Sequence, residues 1–199
     1  MKKRIFVSGH KAGTGLRCAG GLLVWVLALF MPSAWAAQFT QVVPESSEIH
    51  FQYQQMGVNM DGSFAEFSGE LTFDPAQPEQ GKAVLEVPVA AVDAGSDEAD
   101  EELAGAEWFN TQAHPVARFE SKSIQPTDSG YAVQGTLTIK GKSQEVTVPA
   151  QFTEKDGVGM FEGQFTILRG DFGVGEGAWS AYDIVANEIQ IQFRIAAKP

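Results

Sequence analysis

The side chains that could do chemistry are few and scattered. His50 and His114 are the only histidines beyond residue 36, and neither sits in a His-X-His or His-Glu-X-X-His spacing. A metal site usually needs three or four convergent ligands, so no metal and no cofactor are expected. His50 is out of phase with Ile49 and Phe51, which turns it outward on a strand, and His114 precedes Pro115 in a loop. Asp97, Glu98, Asp100, Glu101 and Glu102 crowd one segment and read as a solvated helix face rather than an acid–base pair. No Gly-X-Ser-X-Gly elbow is present. Gly173-Val174-Gly175-Glu176-Gly177 has the glycines of a phosphate loop without the strand-to-helix setting such a loop needs. No catalytic residue is assigned, and the chain is not expected to be an enzyme.

What remains is a question of compartment and interior. Lys2, Lys3, Arg4, Lys11 and Arg17 precede an apolar run over residues 22–31, and Ala34-Trp35-Ala36 then offers a small-residue cleavage site. This is the pattern of a secretory signal peptide over residues 1–36. The run is too short to cross a bilayer core of roughly 30 Å. Cys18, the single cysteine, falls inside the leader, so the exported chain is expected to start at Ala37 without disulfides or thiolates. That favours a bacterial periplasm. All 25 Asp and Glu lie beyond the leader, in a chain of net charge −11 overall. Such a surface excludes nucleic acid as a partner, because phosphate binding needs basic patches.

The elements that position any site are strands. Glu188-Ile189-Gln190-Ile191-Gln192-Phe193-Arg194-Ile195 alternates polar and apolar, the mark of a strand with one dry face. The same alternation recurs over residues 48–54, 67–73, 82–92, 116–124, 130–140, 143–154 and 158–169, with the last strand spanning 185–196 and a short leading one at 39–43. Asn59-Met60-Asp61-Gly62 reads as a turn, and Gly141 and Asp156-Gly157 as hairpin turns. Pro88 inside its strand suggests an edge or a bulge. Ser96 caps one short helix over residues 97–106. The expectation is an all-β fold, an eight-stranded antiparallel barrel with one short helix in a connection. A two-sheet sandwich is the rival.

The alternation also names the inward face. Its candidate lining residues are Phe51, Tyr53, Phe67, Leu71, Leu85, Val87, Phe119, Val133, Leu137, Val148, Phe165, Ile191 and Phe193, interrupted by Gly69, Gly135 and Gly163. An eight-stranded barrel either fills with its own side chains or holds one small ligand, and the pattern leaves both open. Trp108 and Phe109 after the helix, and Trp179 in a Gly-rich loop, are candidates for the mouth. They read equally as a gate or as a plug.

Several segments carry a family resemblance: Phe64-Ala65-Glu66-Phe67-Ser68-Gly69, residues 97–110, His114-Pro115-Val116-Ala117-Arg118-Phe119-Glu120-Ser121, Gly135-Thr136-Leu137-Thr138-Ile139-Lys140-Gly141, and Leu168-Arg169-Gly170-Asp171-Phe172-Gly173-Val174-Gly175. In order and spacing the chain resembles the YceI-like family over residues 37–199. The resemblance implies an extended lipocalin-like antiparallel barrel whose hydrophobic tunnel binds a polyisoprenoid such as a prenylated quinone. It departs from many members at Gln54-Gln55-Met56-Gly57, where they carry a His. Gly175-Glu176-Gly177-Ala178-Trp179 resembles a subgroup associated with inner-membrane b-type cytochromes, which would be a partner. Oligomeric state is left open, a homodimer being one option.

Overall fold

A computed structural model describes residues 38–199. The leader and its cleavage site lie outside the described residues. Eleven strands form one antiparallel sheet: β1 Gln41–Val42, β2 Glu48–Gln55, β3 Val58–Phe64, β4 Ser68–Thr72, β5 Lys82–Pro88, β6 Val92–Asp93, β7 Val116–Thr127, β8 Gly130–Ile139, β9 Lys142–Lys155, β10 Val158–Leu168 and β11 Glu188–Lys198. The helix, α1, spans Asp97–Ala104 between β6 and β7. Strand order is β4-β5-β7-β8-β9-β10-β11-β2-β3-β6. The sheet curls, and short pairings join its edges. β5 runs through a single turn of 3-10 helix into β6, which pairs with β3. Phe39 pairs with Phe73 just beyond β4, while β1 pairs with β11. All-β class, antiparallel pairing and one short helix are as the alternation implies.

The differences are local. β3 is one strand more than expected. The turn falls at Met56-Gly57, where both residues have positive φ, as a two-residue hairpin turn requires. Asn59, Asp61 and Gly62 sit inside β3 instead. Asn59 and Asp61 accept hydrogen bonds from Gln54 and Gln52 across the hairpin at 3.0 and 2.8 Å. Gly62 is required because the Phe51 ring lies where a side chain would stand. Residues 82–92 do not form one strand. Pro88, which lacks an N–H, ends β5, and Val89–Ala91 turn before β6. The helix ends two residues early, at Gly105, whose N–H returns to the Glu102 carbonyl at 3.0 Å. At its start Ser96 accepts from Ala99 N–H, with Asp97, Glu98 and Asp100 in the first turn.

A bulge between Ser121 and Ser123 shifts the face of β7, so Ile124 turns inward below Phe119. The β9–β10 ladder covers only Gln151–Lys155 against Val158–Glu162. It stops next to Pro149, which cannot donate to a ladder.

Candidate functional site

The inner face is packed at its two ends and hollow between them. At one end Phe39, Phe73, Ile124 and Ala197 form a buried cluster, with the Phe73 ring edge-on to Tyr131 and Phe161 at 5.2 and 5.0 Å. At the other, Trp108, Ile167, Phe172, Val174 and Val185 form a second. The strand centres between them are only half-buried: Leu71, Leu85, Val87, Phe119, Val133, Leu137, Phe165, Ile191 and Phe193. Inward side chains at mid-strand are normally fully enclosed. Here they border two adjoining cavities, of about 170 Å³ toward Phe73 and about 420 Å³ toward Trp108. The larger is within the usual range for a small-molecule pocket.

Twelve of the thirteen candidate lining residues face these cavities. Leu71, Leu85, Phe119, Val133, Val148 and Phe193 line the smaller. Phe51 and Tyr53 line the larger, and Val87, Leu137, Phe165 and Ile191 line both. Phe67 does not belong with them. The chain leaves the ladder between Phe64 and Ser68, so the alternation of β4 cannot be carried back to Phe67, which lines neither cavity.

The three mouth candidates come together, but unequally. Trp108 is 6% exposed and belongs to the end cluster, as a plug would. Phe109 and Trp179 are half-buried. The Trp108 and Trp179 rings tilt against each other at 5.4 Å, and Trp179 Nε1 donates to Glu102 Oε1 at 2.9 Å, tying the Gly-rich loop to α1. Trp108→Ala is therefore expected to cost about 3–5 kcal/mol in urea unfolding, the range for a buried aromatic. Trp179→Phe keeps an aromatic ring of smaller area and loses one exposed hydrogen bond. It is expected to cost under about 1.5 kcal/mol. Equal losses from both would make Trp179 a plug as well.

The residue that organises this end is Arg169, 2% exposed. Its Nε donates to Ala186 O at 3.1 Å, Nη1 to Val174 O and Gly175 O at 2.8 and 3.0 Å, and Nη2 to Trp179 O and Val185 O at 2.9 and 2.7 Å. The guanidinium also lies over the rings of Trp108 and Tyr182, at 5.3 and 5.0 Å from their centroids. Burial pushes it below its ordinary pKa, and Tyr182 pulls in the opposite sense. No carboxylate pairs with it among the described residues; backbone carbonyl dipoles stabilise the charge. Sequence reasoning missed this role, although the phase was there: Phe161, Phe165 and Ile167 alternate inward and the next position in step is Arg169.

A second clasp lies outside. Lys140 Nζ, on a side chain 8% exposed, reaches Gly173 O at 2.8 Å and Glu176 Oε2 at 3.0 Å, and Lys142 reaches Glu176 Oε1 at 3.3 Å. The Lys140 hydrogen bond, then that of Lys142, holds the Glu176 carboxyl below the usual range. A depressed carboxylate stabilises above its unfolded pKa and loses that contribution as pH falls through the folded value. Protection of the Gly175 and Glu176 amides, both bonded to Glu107 O at 2.8 Å, is expected to fall, relative to their intrinsic exchange, as pH drops through the lowered folded value of Glu176. Protection unchanged through that range would leave the clasp without a role.

His50 is exposed beside Glu48, at 3.1 Å. Among the described residues no three His, Cys, Asp or Glu side chains converge as a metal set would.

A family model for the YceI-like domain matches residues 41–197. The chain belongs to the YceI-like family. A UPF0312 protein of Ectopseudomonas mendocina is 32% identical over 168 residues, covering 80% of this chain and 88% of that one. Another, from Photorhabdus laumondii, is 32% identical over 133 residues, 66% of this chain and 69% of the relative. Among solved structures, BcnA of Burkholderia cenocepacia superposes with a TM-score of 0.77 at 38% identity, over 79% of this chain and 99% of that one. A polyisoprenoid binding domain from Saccharophagus degradans shares the fold, with a TM-score of 0.60 at 14% identity over 82% of this chain and 99% of that domain.

Proposed function

We propose that this YceI-like protein sequesters an isoprenoid lipid, such as a prenylated quinone, in the periplasm after export by its leader. It works by keeping the apolar chain from water, without covalent chemistry. The observation that carries the reading is the hollow at mid-barrel: apolar strand-centre residues left half-buried between two packed ends. A filled barrel of this size would bury them. The polyisoprenoid binding domain of Saccharophagus degradans has the same fold, which agrees with an isoprenoid guest. Each buried CH₂ contributes about 0.8 kcal/mol, so one five-carbon unit offers roughly 3–4 kcal/mol. A few units are enough for tight retention, and cavity length rather than affinity then discriminates among chains.

Native mass spectrometry of the protein purified from its own periplasm tests this. A co-purifying isoprenoid is expected. Bare protein in repeated preparations would overturn the carrier reading in favour of a barrel acting through its outer surface.

A further inference from the structure

Six large apolar side chains are exposed among the described residues, and four of them share one rim of the barrel. Met56, 72% exposed, stands in the turn between β2 and β3, and Val58, 60% exposed, opens β3. Tyr182 and Ile184 come from the segment before β11. Backbone pairing joins the two pieces. Gln55 bridges Val185, Met56 N–H donates to Ile184 O at 2.7 Å, and Ala186 N–H donates to Gln54 O at 2.9 Å. Gln55 and Val185 line the larger cavity, while their neighbours Met56 and Ile184 are exposed. The apolar patch is thus the outside of a rim whose inside is cavity wall. Single exposed apolar residues are normal on a protein surface; a contiguous group beside a cavity marks an interaction site.

The fold itself does not call for these side chains. Met56 has φ 48°, followed by Gly57 at 79°. Asn before Gly is the favoured pair in such a turn, and a methionine there bears strain without gaining burial. Charge narrows the choice of partner. Residues 51–60 carry no charge in a chain of net charge −11, and residues 172–187 contain no Lys or Arg. An anionic surface would meet Asp183 beside Ile184 and no cation from either segment. Size narrows it again. Four side chains fall far short of the roughly 800 Å² per partner that a stable protein interface buries. They are enough for shallow, reversible insertion at a bilayer surface, where a Tyr also sits favourably.

We infer that Met56, Val58, Tyr182 and Ile184 form a membrane-docking surface, which sets this rim of the barrel against a bilayer of zwitterionic headgroups. A lipid kept from water has to be collected and delivered at a bilayer, and the patch lies where the cavity wall meets the outside. The inference rests on the lipid-carrier reading and adds to it the place and the kind of membrane contact. Docking is weak by design: a carrier that inserted deeply would not leave.

The test floats the purified exported protein with vesicles of phosphatidylcholine, alone or mixed equally with phosphatidylglycerol. The wild-type protein is expected to float with phosphatidylcholine and no better with the mixture. The double variant Met56→Asn, Val58→Thr is expected to lose at least about tenfold in partitioning, the effect of one to two apolar side chains. Its melting temperature should not fall, because Asn suits the left-handed turn position and Thr keeps the branching of a strand residue. Ile184→Thr, from the other segment, should lose at least about threefold. Tyr182 is left intact because its ring also covers Arg169. A wild-type protein that stays off phosphatidylcholine would overturn the inference, as would binding that appears only with phosphatidylglycerol, or variants that float like the wild type. A dimer in sedimentation that the double variant splits would also overturn it, by giving the patch to a second copy of the chain. Loading of an isoprenoid from detergent micelles needs no bilayer and should be the same in wild type and variants. Failure of the wild type to load there would instead overturn the carrier reading beneath.

Discussion

Arg169→Lys is expected to destabilise the protein by about 3–5 kcal/mol, although it preserves the charge. Lysine has three donors where the guanidinium presents five in a planar fork. At least two of the carbonyls of Val174, Gly175, Trp179, Val185 and Ala186 would be left buried without a partner. The compact ammonium also lacks the extended planar group that stands over the Trp108 and Tyr182 rings. Arg169→Met removes the charge along with the fork and orphans all five acceptors, so it should cost no less than Lys. Domains of this size hold about 5–15 kcal/mol in total, so either variant removes a large fraction. Urea unfolding gives the magnitude. Hydrogen exchange over residues 170–187 gives the place, because all five acceptors of this side chain lie within them. If Arg169→Lys keeps wild-type stability, the positive charge alone organises the loop and the fork is dispensable.

The contrast between Arg169 and the strand centres shows what a sequence of this kind discloses. Mid-strand positions such as Leu137, Phe165 and Ile191 were legible because β8, β10 and β11 are long and regular, and a period of two fixes the inward side chain wherever the ladder continues. Phe67 misleads for the same reason: the period is undisturbed in the text, but the ladder ends before it. Asn59-Met60-Asp61-Gly62 misleads because the composition of a turn can also serve a strand whose polar residues pair across a hairpin and whose glycine accommodates a neighbouring ring. The inward phase of Arg169 could be read. Its five acceptors could not, since they come from residues 174–186, a loop without periodicity. Burial of Trp108 is illegible for a related reason: it depends on how the exit of α1 and that loop close over each other, and no local pattern encodes a contact between two irregular segments. The Ser96 cap was visible because it is local.

The neck between the two cavities should be the most sensitive point for binding. Ile49, Val87, Ala117, Leu137, Phe165 and Ile191 border both. A chain longer than one cavity must thread between them. Leu137→Trp or Phe165→Trp places added volume there, and Ala117→Phe does so from β7, opposite Val87 in the ladder. Overpacking a filled core typically costs about 1–3 kcal/mol. In a hollow neck the new ring has space to occupy, so the loss of stability should fall at or below the lower end of that range. Retention of a long isoprenoid, by contrast, should fall at least about tenfold, because a tail excluded from the second cavity forfeits roughly 3–4 kcal/mol for each unit left outside. A short neutral probe that fits the larger cavity alone should bind nearly as before. That asymmetry separates a blocked passage from a damaged fold. Long and short probes lost together, with a collapse in melting temperature in protein that never carried lipid, would mean that the neck is solid core and that the two cavities are packing defects on either side of it.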